Sequence, residues 1–282
     1  MKIHHLNCGT DCPLGGALFD GHSKSPLAHM VCHCLLIESD QGLILVDTGY
    51  GLRDVLHPHG RDARIPIVMR AMLGIPLREE ETAIRQVEAL GFRAEDVRHI
   101  VLTHLDFDHA GGLDDFPGAA VHVMHDEYRA ATGTRSGFTA QNRYRPAQFR
   151  NETDWRLYDA PSGEGWFGFD AVRQLDDLPP DILLVPMPGH SWGHAAVAVR
   201  NEGRWFCHAG DAYFYHGEMR QAERRCTPGM RLLQNMMGVD RDKRMTNQER
   251  LRRLSVEHRD DVTVACAHDT VEFEACVAGR PL

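Results

Sequence analysis

Residues Thr103 to Leu113 read THLDFDHAGGL and follow the apolar, branched run VRHIVL. A buried strand that ends in alternating His and Asp side chains and then in paired glycines constrains the fold more than any other feature. Imidazole and carboxylate groups grouped this way suit a cation, and a pair of cations needs about six such ligands converging from separate strand ends. Extended geometry directs residues 104 and 106 to one side, and a turn allowed by Gly111 and Gly112 brings 108 and 109 round to a second position. The rest of the chain must therefore supply further strands that end in His or Asp.

It does so repeatedly. VCHCLLIES and GLILVDTG, parted by Asp40-Gln41-Gly42, read as a hairpin whose second strand ends at Asp47. EETAIRQVEALG places Ile84, Val87 and Leu90 at helical spacing and stops at a glycine. AAVHVMHDEYRAA reads as a strand and a helix; DILLVPMPGH, AAVAVR, RWFCHAGD and VTVACAHD read as further strands, and residues 228–238 and 246–258 as helices. With 282 residues and no long linker, the expectation is one α/β domain over 1–282.

Composition narrows the partners. Lys plus Arg number 31 against 40 Asp plus Glu, and the net charge of -9 argues against nucleic acid. No run of about 18 apolar residues occurs, and MKIHHLNCGTDCPLGG lacks an apolar leader core, so the expectation is a cytoplasmic protein with no membrane partner. The eight cysteines are read as reduced, with Cys32 and Cys34 as small thiols inside a buried strand rather than zinc ligands.

The stretch HLDFDH resembles the HxHxDH signature of the metallo-β-lactamase superfamily, with Asp106 in place of the middle histidine. Further landmarks follow in family order: Asp47 in LVDTG, His190 in PGHSWGH, Asp211 in HAGDAY and His268 in CAHDT. The resemblance implies a four-layer αβ/βα sandwich and a binuclear site. His104, Asp106 and His190 would hold the first metal, Asp108, His109 and His268 the second, and Asp211 would bridge them. Asp47 would orient a ligand, and His194 would support the site without binding. Two divalent ions are implied, zinc foremost, with the extra carboxylate favouring manganese or iron.

Within that superfamily the chain is similar to the N-acyl homoserine lactonase-like hydrolases, which implies a small-molecule lactone or ester opened by a metal-bridging hydroxide. Asp108 would orient the nucleophile, and Tyr213 or Tyr215, flanking the family offset at Phe214, would serve as proton donor. The same metals would equally serve thioester hydrolysis or phosphodiester chemistry, and a degenerate member would bind a ligand without turnover. Residues 133–169, rich in arginine and aromatics, read as an insertion or lid, with Arg143, Tyr144, Arg145, Trp155 and Trp166 as its candidate contacts. The apolar, methionine-bearing run 65–77 suits a core helix, the wall of an acyl pocket or the face of a homodimer.

Overall fold

The alternation inside each strand decides what covers each face of two β-sheets. The computed structural model describes residues 1–60, 62–149, 153–159, 165–169, 173–219 and 223–282. In the first sheet β1 (Lys2–Asp11), β2 (Met30–Ser39) and β3 (Gly42–Val46) pair antiparallel, and β4 (Val97–Val101), β5 (Ala120–Met124) and β6 (Asp154–Tyr158) continue in parallel. The second runs β11 (Val262–Ala265), β10 (Arg204–His208), β9 (Ala195–Asn201), β8 (Ile182–Pro186) and β7 (Arg173–Gln174), parallel only between β10 and β11. The expected hairpin is present, with Ser39 opposite Gly42.

On β2, Leu35 and Ile37 share one cluster with Val197 and Val199 of β9, so these faces pack sheet against sheet. The intervening Cys34 and Leu36 pack with Ala83 and Val87 of the helix Ala83–Ala89, which covers the outer face. On β9 the partners alternate likewise: Ala196 and Ala198 lie with Leu251 and Leu254 of the helix Arg241–Glu257. Helix, sheet, sheet and helix make the four-layer αβ/βα sandwich. Fully burying each Leu, Ile or Val contributes roughly 1.5–3 kcal/mol, so the inter-sheet layer holds the scaffold.

Strand directions then gather the chemistry at one edge. β3 and β4 are parallel, as are β10 and β11, and β8 runs with β10 because each is antiparallel to β9. Residues that follow these strands, from Asp47 to His268, leave from the same end, and antiparallel β1 brings Asp11 to it as well. The β1 strand was not expected from the sequence, because Lys2, His4, His5 and Asn7 interrupt its apolar alternation.

The second long helix begins earlier than its apolar spacing suggests, at Arg241, because the Asp240 side chain accepts the Lys243 N–H as a cap. The expected insertion at 133–169 resolves into separate parts. Trp155 lies on β6 and packs with Tyr128 and Phe149, and Trp166 packs with Phe169 and Trp205 against the second sheet. Both are packing residues, a correction to their place in a lid; residues 150–152 and 160–164 of that stretch lie outside the described residues. Among the described residues no helix is long and apolar enough to cross a membrane.

Candidate metal centre

Asp47 organises the site from beneath. Its backbone takes φ 57°, a left-handed conformation that aspartate tolerates better than most side chains. The carboxylate accepts the Thr103 N–H at 2.8 Å and the Thr103 hydroxyl at 2.7 Å, and His109 Nδ1 lies 2.8 Å away. His109 therefore carries its proton on Nδ1 and turns Nε2 outward. Having donated to Asp47, the Thr103 oxygen is left to accept from His104 Nδ1 at 3.0 Å, which fixes the same tautomer there. His268 Nδ1 donates to Val31 O at 2.8 Å. Three imidazoles thus turn their Nε2 atoms toward one space.

Asp211 stands between them. Its Oδ2 is 3.6 Å from His104 Nε2 and 3.3 Å from His190 Nε2, while Oδ1 is 3.3 Å from His109 Nε2 and 3.1 Å from His268 Nε2. Asp106 Oδ2 completes one group, 3.5 Å from His104 Nε2 and 3.1 Å from His190 Nε2. Asp108 Oδ2 completes the other, 3.7 Å from His268 Nε2 and 3.9 Å from His109 Nε2. His104, Asp106, His190 and Asp211 offer ligand atoms within 4.8 Å of one another, as do His109, Asp211 and His268. All seven expected ligands therefore meet at one place. Residues 104 and 106 lie beyond the end of β4 rather than on it, so the loop and not strand alternation aims them.

The donor set fits divalent cations. His104 Nε2, His109 Nε2 and Asp211 Oδ1 are buried without a hydrogen-bond partner among the described residues, a costly arrangement unless a cation takes their lone pairs. In the metal-free chain protons balance the carboxylates: burial pulls His268 down, but Asp211 and Asp108 hold it up at about 9. Burial likewise opposes protonation of His109, which Asp211, Asp108 and Asp47 raise well above the ordinary histidine range.

Close backbone packing shapes the turn after the motif. A side chain on Gly111 would meet Gly49 O at 2.6 Å and Gly51 N at 2.8 Å. His194 acts on the backbone of the site, with Nδ1 donating to Met187 O at 3.1 Å and Nε2 accepting the Asp211 N–H at 2.9 Å.

The tyrosine expectation is corrected. Tyr213 is fully buried with its hydroxyl 2.9–3.0 Å from the Glu272 carboxylate oxygens, and Tyr215 leans on His216. Neither lines the recess above the ligands; Phe214 does. That recess is lined by the apolar Met30, Met69, Leu73, Phe107, Phe214, Leu233 and Met237 and by the polar Asp11, Asp106, Asp108, His190, Asp211 and His268. Met69 and Leu73 come from the run 65–77, in the helix Ile67–Leu73.

Three residues here were missed as site components. Asp11, at the end of the unanticipated β1, is buried and accepts the Tyr50 hydroxyl at 2.8 Å; burial and then Asp108 push its carboxyl up to about 7. Cys32 reaches the ligand atoms of Asp108 and His268, closer to the chemistry than a packing thiol, and burial and then Asp11 raise it well above the ordinary thiol range. Arg143, expected in a lid, is fully buried with Nε 3.2 Å from Asp106 Oδ1. Burial alone would raise the Asp106 carboxyl, but Arg143 and then His104 hold it well below the usual range.

Residues 29–257 match the family described as the metallo-beta-lactamase superfamily. A probable metallo-hydrolase of Mycobacterium tuberculosis (strain ATCC 25618 / H37Rv) is 42% identical over 269 residues, covering 95% of this chain and 80% of that protein. The N-acyl homoserine lactonase of Bacillus cereus is 26% identical over 196 residues, covering 67% of this chain and 69% of that protein. A solved N-acyl homoserine lactone hydrolase with N-hexanoyl-L-homoserine at its catalytic metal centre has the same fold, with a TM-score of 0.68 at 19% identity over 98% of this chain and 96% of that one.

Proposed function

The chain belongs to the metallo-beta-lactamase superfamily of metallo-hydrolases, and from that premise we propose that it opens a lactone or another carboxylic ester. The observation that carries the reading is the apolar wall set directly against the ligand cluster. An acyl group seated on Met69, Leu233 and Met237 has its carbonyl beside Asp108, His190 and Asp211. In this reading His104, Asp106 and His190 would hold one ion and Asp108, His109 and His268 the other, with Asp211 within reach of both groups. Zinc suits the imidazole-rich set, and the carboxylates extend the choice to manganese or iron.

When bound, such a pair of cations supplies an activated water and a Lewis acid for the carbonyl. The chain's own residues supply the rest. Asp108 orients the nucleophile from the pocket floor. Asp11, pushed up to about 7 by burial and then Asp108 and contacted by the Tyr50 hydroxyl, lines the recess and is the donor candidate in place of the tyrosines, which do not line it. Phe214 and the methionines keep bulk water from the acyl portion.

The test is metal content measured beside hydrolysis of a panel of lactones, alkyl esters, thioesters and phosphodiesters. The expected result is close to two metals per chain and highest kcat/KM on lactones or alkyl esters with a short acyl chain. Full hydrolysis by metal-free protein, or activity confined to phosphodiesters, overturns the reading.

A further inference from the structure

We propose that Arg143 and Asp106 act as one unit standing in for a neutral imidazole ligand, with Arg143 the positioning residue that aims Asp106 and offsets its charge. The inference rests on the metal-dependent reading above. The two oxygens of Asp106 face different ways: Oδ1 meets Arg143 Nε at 3.2 Å, whereas Oδ2 faces His104 and His190 at 3.5 and 3.1 Å. One oxygen faces the guanidinium at ion-pair distance, though neither Asp106 Oδ1 nor Arg143 Nε makes a hydrogen bond among the described residues, and the other faces the cluster.

Arg143 is held so that it cannot swing away. Nη1 donates to His190 O at 2.8 Å and Nη2 to Met237 O at 2.5 Å, and Nη2 also lies 3.3 Å from His190 Nε2. The backbones of the pair are joined too: Phe107 N donates to Arg143 O at 3.1 Å, and Asp106 forms a β-bridge with Tyr144. Arg143 therefore hydrogen-bonds the carbonyl of one candidate ligand and lies at ion-pair distance from the carboxylate of another.

Charge gives the reason. Where the family signature has histidine, the carboxylates at 47, 108 and 211 bring three negative charges. Asp106 makes four, and Arg143 returns the net to three. A guanidinium this deeply buried is strongly unfavourable without its carboxylate, and beside an imidazole it would oppose a dication. The identity of residue 106 is thereby coupled to that of residue 143.

A double-mutant cycle tests the coupling, reading metal stoichiometry and affinity for zinc in wild type, Asp106→His, Arg143→Gln and Asp106→His/Arg143→Gln. Asp106→His alone restores the commoner motif yet is expected to bind the first zinc at least ~10-fold more weakly, and the double variant is expected to regain most of that loss. Additive effects, or an Asp106→His protein that binds both ions as wild type does, overturn the proposal. Should the Arg143 variants fail to fold, Asp106→Asn decides the matter in metal-stripped full-length protein. Loss of the partner of Arg143 is expected to lower Tm, whereas a carboxylate that is only a ligand would leave Tm unchanged or raise it by relieving repulsion within the cluster. A Tm that is unchanged or raised overturns the pair. Wild type that binds no zinc would overturn the hydrolase reading instead, and the Asp106→Asn measurement still decides on the pair.

Discussion

Asp47 and His109 meet at 2.8 Å, Oδ2 to Nδ1, and both side chains are buried. Because the same carboxylate binds the backbone and hydroxyl of Thr103, it sets the tautomers of His109 and, through Thr103, of His104. Asp47→Asn keeps the shape but presents an N–H where an acceptor is needed. The expected result is metal affinity weakened by about 10–100-fold, with kcat recovering at saturating metal. Unchanged affinity in a zinc titration would show that Asp47 serves the fold alone.

Asp211 contacts imidazoles of both groups, whereas His268 belongs to one. Asp211→Ala should therefore reduce the content of both metals, while His268→Ala should retain about one per chain and lose hydrolysis. Elemental analysis after dialysis against trace metal separates the two patterns. Equal stoichiometry for both variants would redraw the bridge.

Asp11 makes a prediction that depends on the leaving group. A proton donor matters most when the departing oxygen is a poor leaving group, as in an alkyl ester or lactone, and least for an acidic phenol. Asp11→Asn should lower kcat/KM by roughly 10²–10⁴-fold on lactones and far less on aryl esters. Equal losses on both series would assign Asp11 to packing with Tyr50.

The cluster of candidate ligands was legible in the sequence because its members follow strands whose apolar, branched residues announce them, so His104, Asp211 and His268, with Asp47 beneath them, could be read as strand-end groups. The layers were legible for the same reason: period-two runs such as LLI in β2 and AVAV in β9 have two buried faces. Asp11 was hidden because the histidines and asparagine of β1 break that alternation. Arg143 was hidden because arginine is seldom buried, and only the fold brings it from an irregular stretch to Asp106. The tyrosines misled because the backbone after Asp211 turns Phe214 to the recess and Tyr213 into the core beside Glu272.

Acid stability follows from histidines outside the metal centre. His5 is lowered to about 4, by burial first and then His208; His122 is lowered to about 3, by burial first and then His99; buried His33 is lowered well below the ordinary range. Each is neutral in the folded chain and titrates near 6.5 when unfolded, so below that pH the unfolded state binds more protons. Stability is therefore present above about pH 6.5 and is lost as pH falls toward the folded values, by up to about 1.4 kcal/mol per pH unit for each histidine. His122 is held by the Tyr158 hydroxyl at 2.8 Å and His99 at 3.0 Å, so His122→Gln keeps a polar partner while removing the titration. Urea unfolding of metal-stripped protein at pH 7 and pH 5 should show a smaller drop for His122→Gln than for wild type. An identical drop would mean that the charged form of His122 is accommodated in the folded chain, and the acid sensitivity would then belong to other groups.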